Sequence, residues 1–147
     1  MVSHTPEQIR SVVLVGHGAV GKTSLAESLL AASGAIASRG SVEKGNTVCD
    51  FDPVEKQLGH SLQYSIVSLQ TAGVKVHLID TPGYPDFAGQ AISALAGADT
   101  ALIVISAQTG IELSTERMFT QAGERGLCRM IVINKIDADN IDLSALV

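Results

Sequence analysis

One glycine-rich segment near the amino terminus constrains the fold of this chain more than any other feature. It comprises Gly16, His17, Gly18, Ala19, Val20, Gly21, Lys22 and Thr23, which match the pattern G-x-x-x-x-G-K-[ST]. The segment lies between a β-branched run at 11–15 and an Ala- and Leu-rich run at 22–33, which predict a strand and a helix. This context predicts a loop that wraps phosphate groups with its backbone N–H groups, and hence a nucleoside triphosphate site.

The residue types of the loop predict separate roles in such a site. Lys22 is predicted to bridge the β- and γ-phosphates, and the hydroxyl group of Thr23 to bind Mg²⁺. We expect the remaining loop residues, and the adjoining Ser24, to contact the nucleotide where the helix presents its positive end. The loop alone does not identify the base.

Alternation of apolar runs with helix-like stretches predicts the fold class. Strands are predicted at 11–15, 62–70, 74–79, 100–105 and 130–133, and helices at 22–33, 86–96 and 112–125. Aromatic residues make up only 3% of the 147 residues, so the core must consist of aliphatic side chains, which suits a sheet buried on both faces. We predict a three-layer α/β sandwich of the P-loop NTPase type, mostly parallel, with one antiparallel hairpin strand.

Two regions of the chain depart from this alternation. Gly34 is predicted to cap the first helix, and the stretch from there to Gly59 shows no period, which indicates a mobile functional loop. At 71–73 a Thr-Ala-Gly sequence predicts the turn of the hairpin.

A second motif, Asp-Thr-Pro-Gly at 80–83, follows a predicted strand. A carboxylate at the end of a buried strand can hold Mg²⁺ through water, so Asp80 is a candidate metal group. The amide of Gly83 can donate a hydrogen bond to the γ-phosphate and thereby sense its presence. In isolation the same four residues could form an ordinary turn.

A third motif, Asn-Lys-Ile-Asp at 134–137, follows the last predicted strand. The carboxylate of Asp137 can accept hydrogen bonds from N1–H and the exocyclic amine of guanine, whereas adenine has no donors there. Lys135 can lay its stem over the purine, and Asn134 can tie this segment to the phosphate loop. The sequence therefore predicts GTP or GDP as ligand and disfavours the alternative of a P-loop ATPase.

Charge and cysteine content exclude other classes of function. The formal net charge is −5 and the ten Lys and Arg are scattered, so we predict no direct nucleic-acid patch in this segment. Cys49 and Cys128 belong to no metal-binding pattern and are expected to be free thiols. The longest apolar run, 101–105, is too short to cross a bilayer, and we expect a soluble, cytoplasmic protein without membrane partners.

The three motifs together resemble those of translational GTPases, specifically elongation factor G and its close paralogues. The likeness runs from about residue 11 to residue 137 and includes the Gly-His opening of the phosphate loop, Asp86-Phe87 after the second motif, and the stretch 99–110. The resemblance implies GTP hydrolysis with Mg²⁺, a ribosome partner reached through the full-length parent, a first switch at about 34–61 and a second at about 80–90.

Three positions differ from the pattern of that family. Ser61 stands where a Thr usually completes the Mg²⁺ shell, so the predicted metal residues are Thr23, Ser61 and Asp80. Tyr84 stands where a His usually positions the attacking water, and a phenol cannot replace an imidazole as a proton acceptor. Ala19 replaces an Asp that is frequent in the phosphate loop.

The family pattern implies a catalytic set of Lys22, Gly83 and Tyr84, with hydrolysis slow or differently triggered. The alternative is a non-hydrolysing module in which GTP only sets conformation. Of the histidines, His17 is expected to pack beside the phosphate loop and His60 to be solvated.

The family's domain continues beyond the third motif with a further guanine-contacting loop and a sixth strand, which do not fit into 138–147. We therefore expect a domain truncated at its carboxyl-terminal edge, with 130–133 at an exposed edge of the sheet.

Overall fold

The computed structural model describes residues 4–139, 141 and 143, and all its strands belong to one sheet. In chain order they are β1 (Ile9–Val15), β2 (Ser65–Thr71), β3 (Val74–Asp80), β4 (Thr100–Ser106) and β5 (Cys128–Asn134). The spatial order is β2-β3-β1-β4-β5, and only the β2–β3 pair is antiparallel. The predicted mixed sheet with one hairpin strand is confirmed.

Within the described residues, four α-helices accompany the sheet: α1 (Lys22–Ala32), α2 (Pro53–Leu58), α3 (Ala88–Leu95) and α4 (Leu113–Glu124). Short 3₁₀ turns precede β1 at Pro6–Gln8 and α3 at Pro85–Phe87. No helix in the described part of the chain is both long and apolar enough to cross a lipid bilayer.

Two aliphatic clusters, one on each face of the sheet, form the core. Alternate residues of β1 point to opposite faces, so Val13 and Val15 pack with α3 and α4 while Leu14 packs with α1. Both clusters include buried residues of β4, the strand beside β1, as expected for a sheet covered by helices on each side. The three-layer arrangement brings the carboxyl ends of β1, β3, β4 and β5 to one edge.

The predicted elements agree with the structure except in the first switch region and at element ends. The helix α2 was not predicted, because six residues are too few to show a helical period. Gly34 follows α1 with φ of +75°, as a helix-capping glycine does, and the hairpin turns at Ala72 and Gly73, which both have positive φ. The predicted helix at 86–96 is a 3₁₀ turn followed by α3.

Strand β5 is the outermost strand on its side of the described sheet. Its residues Met130 and Ile131 are 58% and 54% exposed, whereas Ile103, the partner of Ile131 on β4, is 1% exposed. The expected exposed edge at 130–133 is therefore observed.

Candidate nucleotide-binding site

The predicted phosphate loop joins β1 to α1 and folds tightly against β4. Gly16 has φ of +142°, and a Cβ atom there would overlap the carbonyl oxygen of Val104, so only glycine fits. The Nζ atom of Lys22 donates hydrogen bonds to the carbonyl oxygens of Gly16, at 3.1 Å, and His17, at 2.7 Å. Burial lowers the pKa of Lys22 to about 8, although the nearby carboxylate of Asp80 opposes this shift.

The second predicted motif packs directly against this loop. A Cβ atom on Gly83 would overlap Lys22 Nζ and the carbonyl oxygen of His17. One on Gly18 would lie 2.9 Å from the ring of Tyr84. Glycine at these two positions therefore permits the close approach of the loop and the segment after β3.

Four oxygen-bearing side chains meet where β3 ends and α1 begins. The hydroxyl of Thr23 donates to Asp80 Oδ2 at 2.6 Å and lies 3.4 Å from Ser61 Oγ. Ser61 in turn donates to Asp50 Oδ1 at 2.7 Å. The three predicted metal residues, Thr23, Ser61 and Asp80, come from separate stretches of the sequence but lie in one hydrogen-bonded cluster. We call these three residues and Asp50 the hydroxyl–carboxylate cluster.

One atom of this cluster lacks a partner. Asp80 is 1% exposed, and its Oδ1 is a buried atom without a hydrogen bond. Burial raises the pKa of Asp80 to about 6, against the lowering effects of the Thr23 hydroxyl and the Lys22 ammonium group. Asp80 Oδ1 is a buried carboxylate oxygen that accepts no hydrogen bond, and hydroxyl oxygens lie beside it. Carboxylate and hydroxyl oxygens are ligands of the kind that Mg²⁺ binds.

The third motif reaches the phosphate loop through one side chain. Asn134 Nδ2 donates to the carbonyl oxygen of Val20 at 2.8 Å, which is the tie predicted for this residue. Gly21, with φ of +97°, leaves room for that amide, because a Cβ atom there would overlap it. Lys135 has φ of +59° and faces the same cavity, whereas Asp137 is exposed and does not line it.

The motifs line one cavity of about 310 Å³. Its wall combines residues of the phosphate loop, of the two predicted switch regions and of the third motif. It includes Gly18, Ala19, Gly21, Lys22, Thr23, Ser24, Ser61, Gly83, Tyr84 and Lys135. A neighbouring cavity of about 230 Å³ between α3 and α4 has a largely apolar wall and contains only Gly16, His17, Gly83 and Tyr84 of the predicted residues. The first cavity is therefore the candidate nucleotide site.

Comparison with known proteins identifies this arrangement. The family described as "Elongation factor Tu GTP binding domain" matches residues 7–147. The chain belongs to this family of GTP-binding domains. It is therefore a G domain of the translational GTPase kind, as the resemblance in the sequence predicted.

Individual relatives agree with the family. An elongation factor G-like protein of Mycobacterium tuberculosis (strain CDC 1551 / Oshkosh) is 43% identical over 132 residues, 90% of this chain and 18% of its own. The tetracycline resistance protein TetW of Butyrivibrio fibrisolvens is 41% identical over 140 residues, 95% of this chain and 22% of its own. The chain thus spans about a fifth of the length of these relatives.

Solved structures share the fold. A crystal structure of a Thermus thermophilus protein, 43% identical, superposes with a TM-score of 0.90 over 95% of this chain and 21% of that one. A bacterial selenocysteine-specific elongation factor, EF-Sec, superposes with a TM-score of 0.72 at 22% identity, over 92% of this chain and 21% of that one, and supports the fold alone.

Two histidines of the GTP-binding domain lie beside the site. His17 packs against the start of α4, where its Nδ1 lies 2.7 Å from Ser114 Oγ and its Nε2 lies 3.0 Å from a carboxylate oxygen of Glu112. This agrees with the predicted packing role. His60 was expected to be solvated, but it is half-buried with its ring centroid 4.7 Å from that of Tyr84.

Buried acidic residues that sequence reasoning missed anchor the segment 34–61 of the GTP-binding domain, which is the predicted first switch region. Glu27 of α1 is fully buried and accepts hydrogen bonds from the backbone of Gly40, at 2.9 Å, and Val48, at 2.6 Å. It is the only acidic residue in the apolar helix α1, a signal that could have marked it. Glu55 accepts from the amides of Leu62 and Gln63, at 2.8 and 3.1 Å.

Asp50 was also missed. It is 3% exposed and its second oxygen accepts a hydrogen bond from the hydroxyl of Thr47 at 3.0 Å. No local pattern distinguishes it from the other polar residues around it, since its role arises only from its contact with Ser61. Both cysteines are free, as predicted, and burial raises the pKa of the Cys49 thiol, which makes that thiol unreactive.

Proposed function

We propose that the chain binds Mg²⁺·GTP and GDP as the G domain of an elongation factor G-like translational GTPase that acts on the ribosome in the cytoplasm. The observation that carries this proposal is the convergence of the Lys22 ammonium group, the hydroxyl–carboxylate cluster and the Asn134–Lys135 segment on one cavity. The names of the relatives, elongation factors among them, support the ribosome as partner.

Separate groups of the chain bind the phosphates, the Mg²⁺ ion and the base of the nucleotide in this proposal. The amides of the phosphate loop and the Lys22 ammonium group take the phosphates, which displaces Lys22 from its two carbonyl partners. Thr23, Ser61 and Asp80 hold Mg²⁺, whose chemistry is to neutralise charge on the β- and γ-phosphates. Asp137 is exposed, two residues after Lys135 of the cavity wall, and turns onto the guanine edge when the nucleotide is present.

Lys22 is the principal catalytic group in this proposal. Its positive charge stabilises the transferring phosphoryl group, and the amide of Gly83 contacts the γ-phosphate. Tyr84, a backbone group or another residue of the cavity wall orients the attacking water. Since a phenol replaces the usual imidazole at position 84, hydrolysis is slow or needs a different trigger, and the two switches at about 34–61 and 80–90 report which nucleotide is bound.

Base recognition is tested by the substitution Asp137→Asn. An amide donates where the carboxylate accepts, so GDP affinity should fall by at least about tenfold while affinity for xanthosine diphosphate rises. Binding of both nucleotides is measured by calorimetric titration in Mg²⁺. The matched control is Asp139→Asn, an exposed carboxylate two residues away, which should bind GDP as the unsubstituted chain does. Unchanged selectivity in Asp137→Asn contradicts the guanine assignment.

A second candidate function is a non-hydrolysing guanine-nucleotide sensor, which the presence of Tyr84 at the second switch favours. Single-turnover hydrolysis of GTP with and without ribosomes separates the two. Release of phosphate in either condition supports the GTPase, whereas tight GTP binding without phosphate release in both supports the sensor.

A further inference from the structure

The rings of His60 and Tyr84 contact each other in the wall of the candidate nucleotide cavity. Their centroids lie 4.7 Å apart with the planes tilted by 59°, and the Phe87 ring centroid lies 6.3 Å from that of His60. The tilted geometry and the distance are those of a favourable aromatic pair. The two residues come from different loops, so the pair joins the first switch region to the second.

Neighbours along the chain fix both residues at the phosphate end of the cavity. Ser61, directly after His60, is bonded to Asp50 and lies 3.4 Å from the Thr23 hydroxyl. Gly83, directly before Tyr84, packs so closely on Lys22 that no side chain fits between them. His60 therefore lies in the cavity wall with Lys22 and Gly83, the groups that our proposed function assigns to the γ-phosphate.

Among the described residues, the His60 ring has one hydrogen-bonding contact, which is through Nδ1. Nδ1 lies 3.4 Å from the carbonyl oxygen of Ser61. A carbonyl oxygen can only accept, so this contact favours the tautomer with its proton on Nδ1. The lone pair of Nε2 is then free to accept a hydrogen bond from water, and an imidazole nitrogen accepts more strongly than a phenol oxygen.

We propose that His60 orients the attacking water for GTP hydrolysis and that the ring of Tyr84 holds His60 in place. The proposal rests on the proposed GTPase function and deepens it. Nε2 accepts a hydrogen bond from the water and so directs an oxygen lone pair towards the γ-phosphorus. As that P–O bond forms, the bond from the γ-phosphorus to the β–γ bridging oxygen breaks. Its electron pair leaves on GDP, and the proton of the water passes to an oxygen of the released phosphate.

Substitutions at His60 separate hydrogen bonding from packing. His60→Leu keeps an apolar side chain against Tyr84 but cannot accept a hydrogen bond, so the single-turnover rate constant at saturating GTP should fall by at least about tenfold. His60→Gln restores an acceptor and should recover much of the rate, because a glutamine can orient water for phosphoryl transfer. The affinity for a fluorescent, non-hydrolysable GTP analogue should be the same in all three proteins, so the defect is one of rate and not of binding.

Substitutions at Tyr84 distinguish its ring from its hydroxyl. Tyr84→Phe keeps the ring that contacts His60 and should hydrolyse GTP faster than Tyr84→Ala, which removes the support and should be as slow as His60→Leu. The control is His77→Leu, because His77 lies on β3 with its ring bonded to Ser68, outside the cavity wall. The rate of GTP hydrolysis by His77→Leu should equal that of the unsubstituted chain.

Three outcomes overturn the inference, and they differ from one another. An unchanged rate in His60→Leu excludes His60 and leaves the proposed GTPase function intact. A loss in Tyr84→Phe equal to that in His60→Leu assigns the water to the Tyr84 hydroxyl instead. Absence of hydrolysis by the unsubstituted chain, with and without ribosomes, overturns the GTPase function and this inference together.

Discussion

The two halves of the candidate site rest on unequal supports. The proposed phosphate half consists of the loop at 16–23 and the motif at 80–83. It stands at the ends of β1 and β3, in the middle of the sheet, where Leu14, Val15 and Asp80 are at most 1% exposed. The proposed guanine half, the motif at 134–137, stands at the end of β5, the outer strand of the described sheet, where Met130 and Ile131 are more than half exposed. The phosphate loop is supported by a core on both faces of the sheet, whereas the third motif follows a strand that, within the described residues, is paired on one side only.

The bonds between the halves are correspondingly few. One of them is the hydrogen bond that the side chain of Asn134 donates to the carbonyl oxygen of Val20, at 2.8 Å. The hydroxyl–carboxylate cluster of the phosphate half, by contrast, is bonded among four side chains. The contrast teaches that phosphate binding should tolerate disturbance of the sheet edge, and that base selectivity should be the more fragile property.

The largest expected difference between the halves concerns stability, and a matched pair of isoleucines measures it. Ile103 and Ile131 are partners across the β4–β5 ladder, 1% and 54% exposed. Ile103→Ala should lower the free energy of unfolding by about 2–5 kcal/mol through lost burial and a cavity, but Ile131→Ala by less than about 1 kcal/mol. Urea unfolding followed by circular dichroism measures both. Equal losses would show that β5 is as firmly supported as the centre.

A smaller effect is expected in the hydroxyl–carboxylate cluster. Asp80→Asn preserves the shape of the side chain but removes the negative charge that we propose binds Mg²⁺. The gain in GDP affinity on adding Mg²⁺ should therefore shrink by about tenfold or more. GDP titrations in Mg²⁺ and in a chelator measure that gain. Glu116→Gln, at an exposed carboxylate on α4, serves as the control and should keep the full gain. A full gain in Asp80→Asn would remove Asp80 from the metal site.

The smallest effect is expected at the tie between the halves. Asn134→Ala removes the hydrogen bond to Val20 and should cost about 1 kcal/mol, or roughly fivefold in GDP affinity. Affinity for inorganic pyrophosphate, which needs only the phosphate half, should stay the same. The control is Gln121→Ala, because Gln121 lies on α4 and is not part of the cavity wall. Its affinity for GDP should match that of the unsubstituted chain. An equal loss for both ligands would mean that the tie supports the phosphate loop and not base selectivity.

The sequence could predict that the motifs of the candidate site lie close together, because strand ends are marked locally. The aliphatic run before Gly16 and the one before Asp80 each end at a residue whose chemistry differs sharply from the run, so both strand and motif are visible together. The same holds for Asn134 after β5. Since parallel strands place their carboxyl ends at one edge, convergence of these motifs followed from the fold class.

The first switch region could not be predicted in the same way. Helix α2 is too short for a period, and its only local signal is the capping pair of Asp52 and Glu55 around Pro53. The contact of His60 with Tyr84 depends on the path of two loops through space, as does the bond of Asp50 to Ser61. No spacing within the sequence encodes these distances.

The central claim, a guanine-selective nucleotide site, is tested most directly by calorimetric titration of the chain with GDP and with ADP in Mg²⁺ at moderate salt. Our account predicts that GDP binds and that ADP does not, since only guanine offers two donors to Asp137. Equal binding of the two nucleotides, or binding of neither, would contradict it.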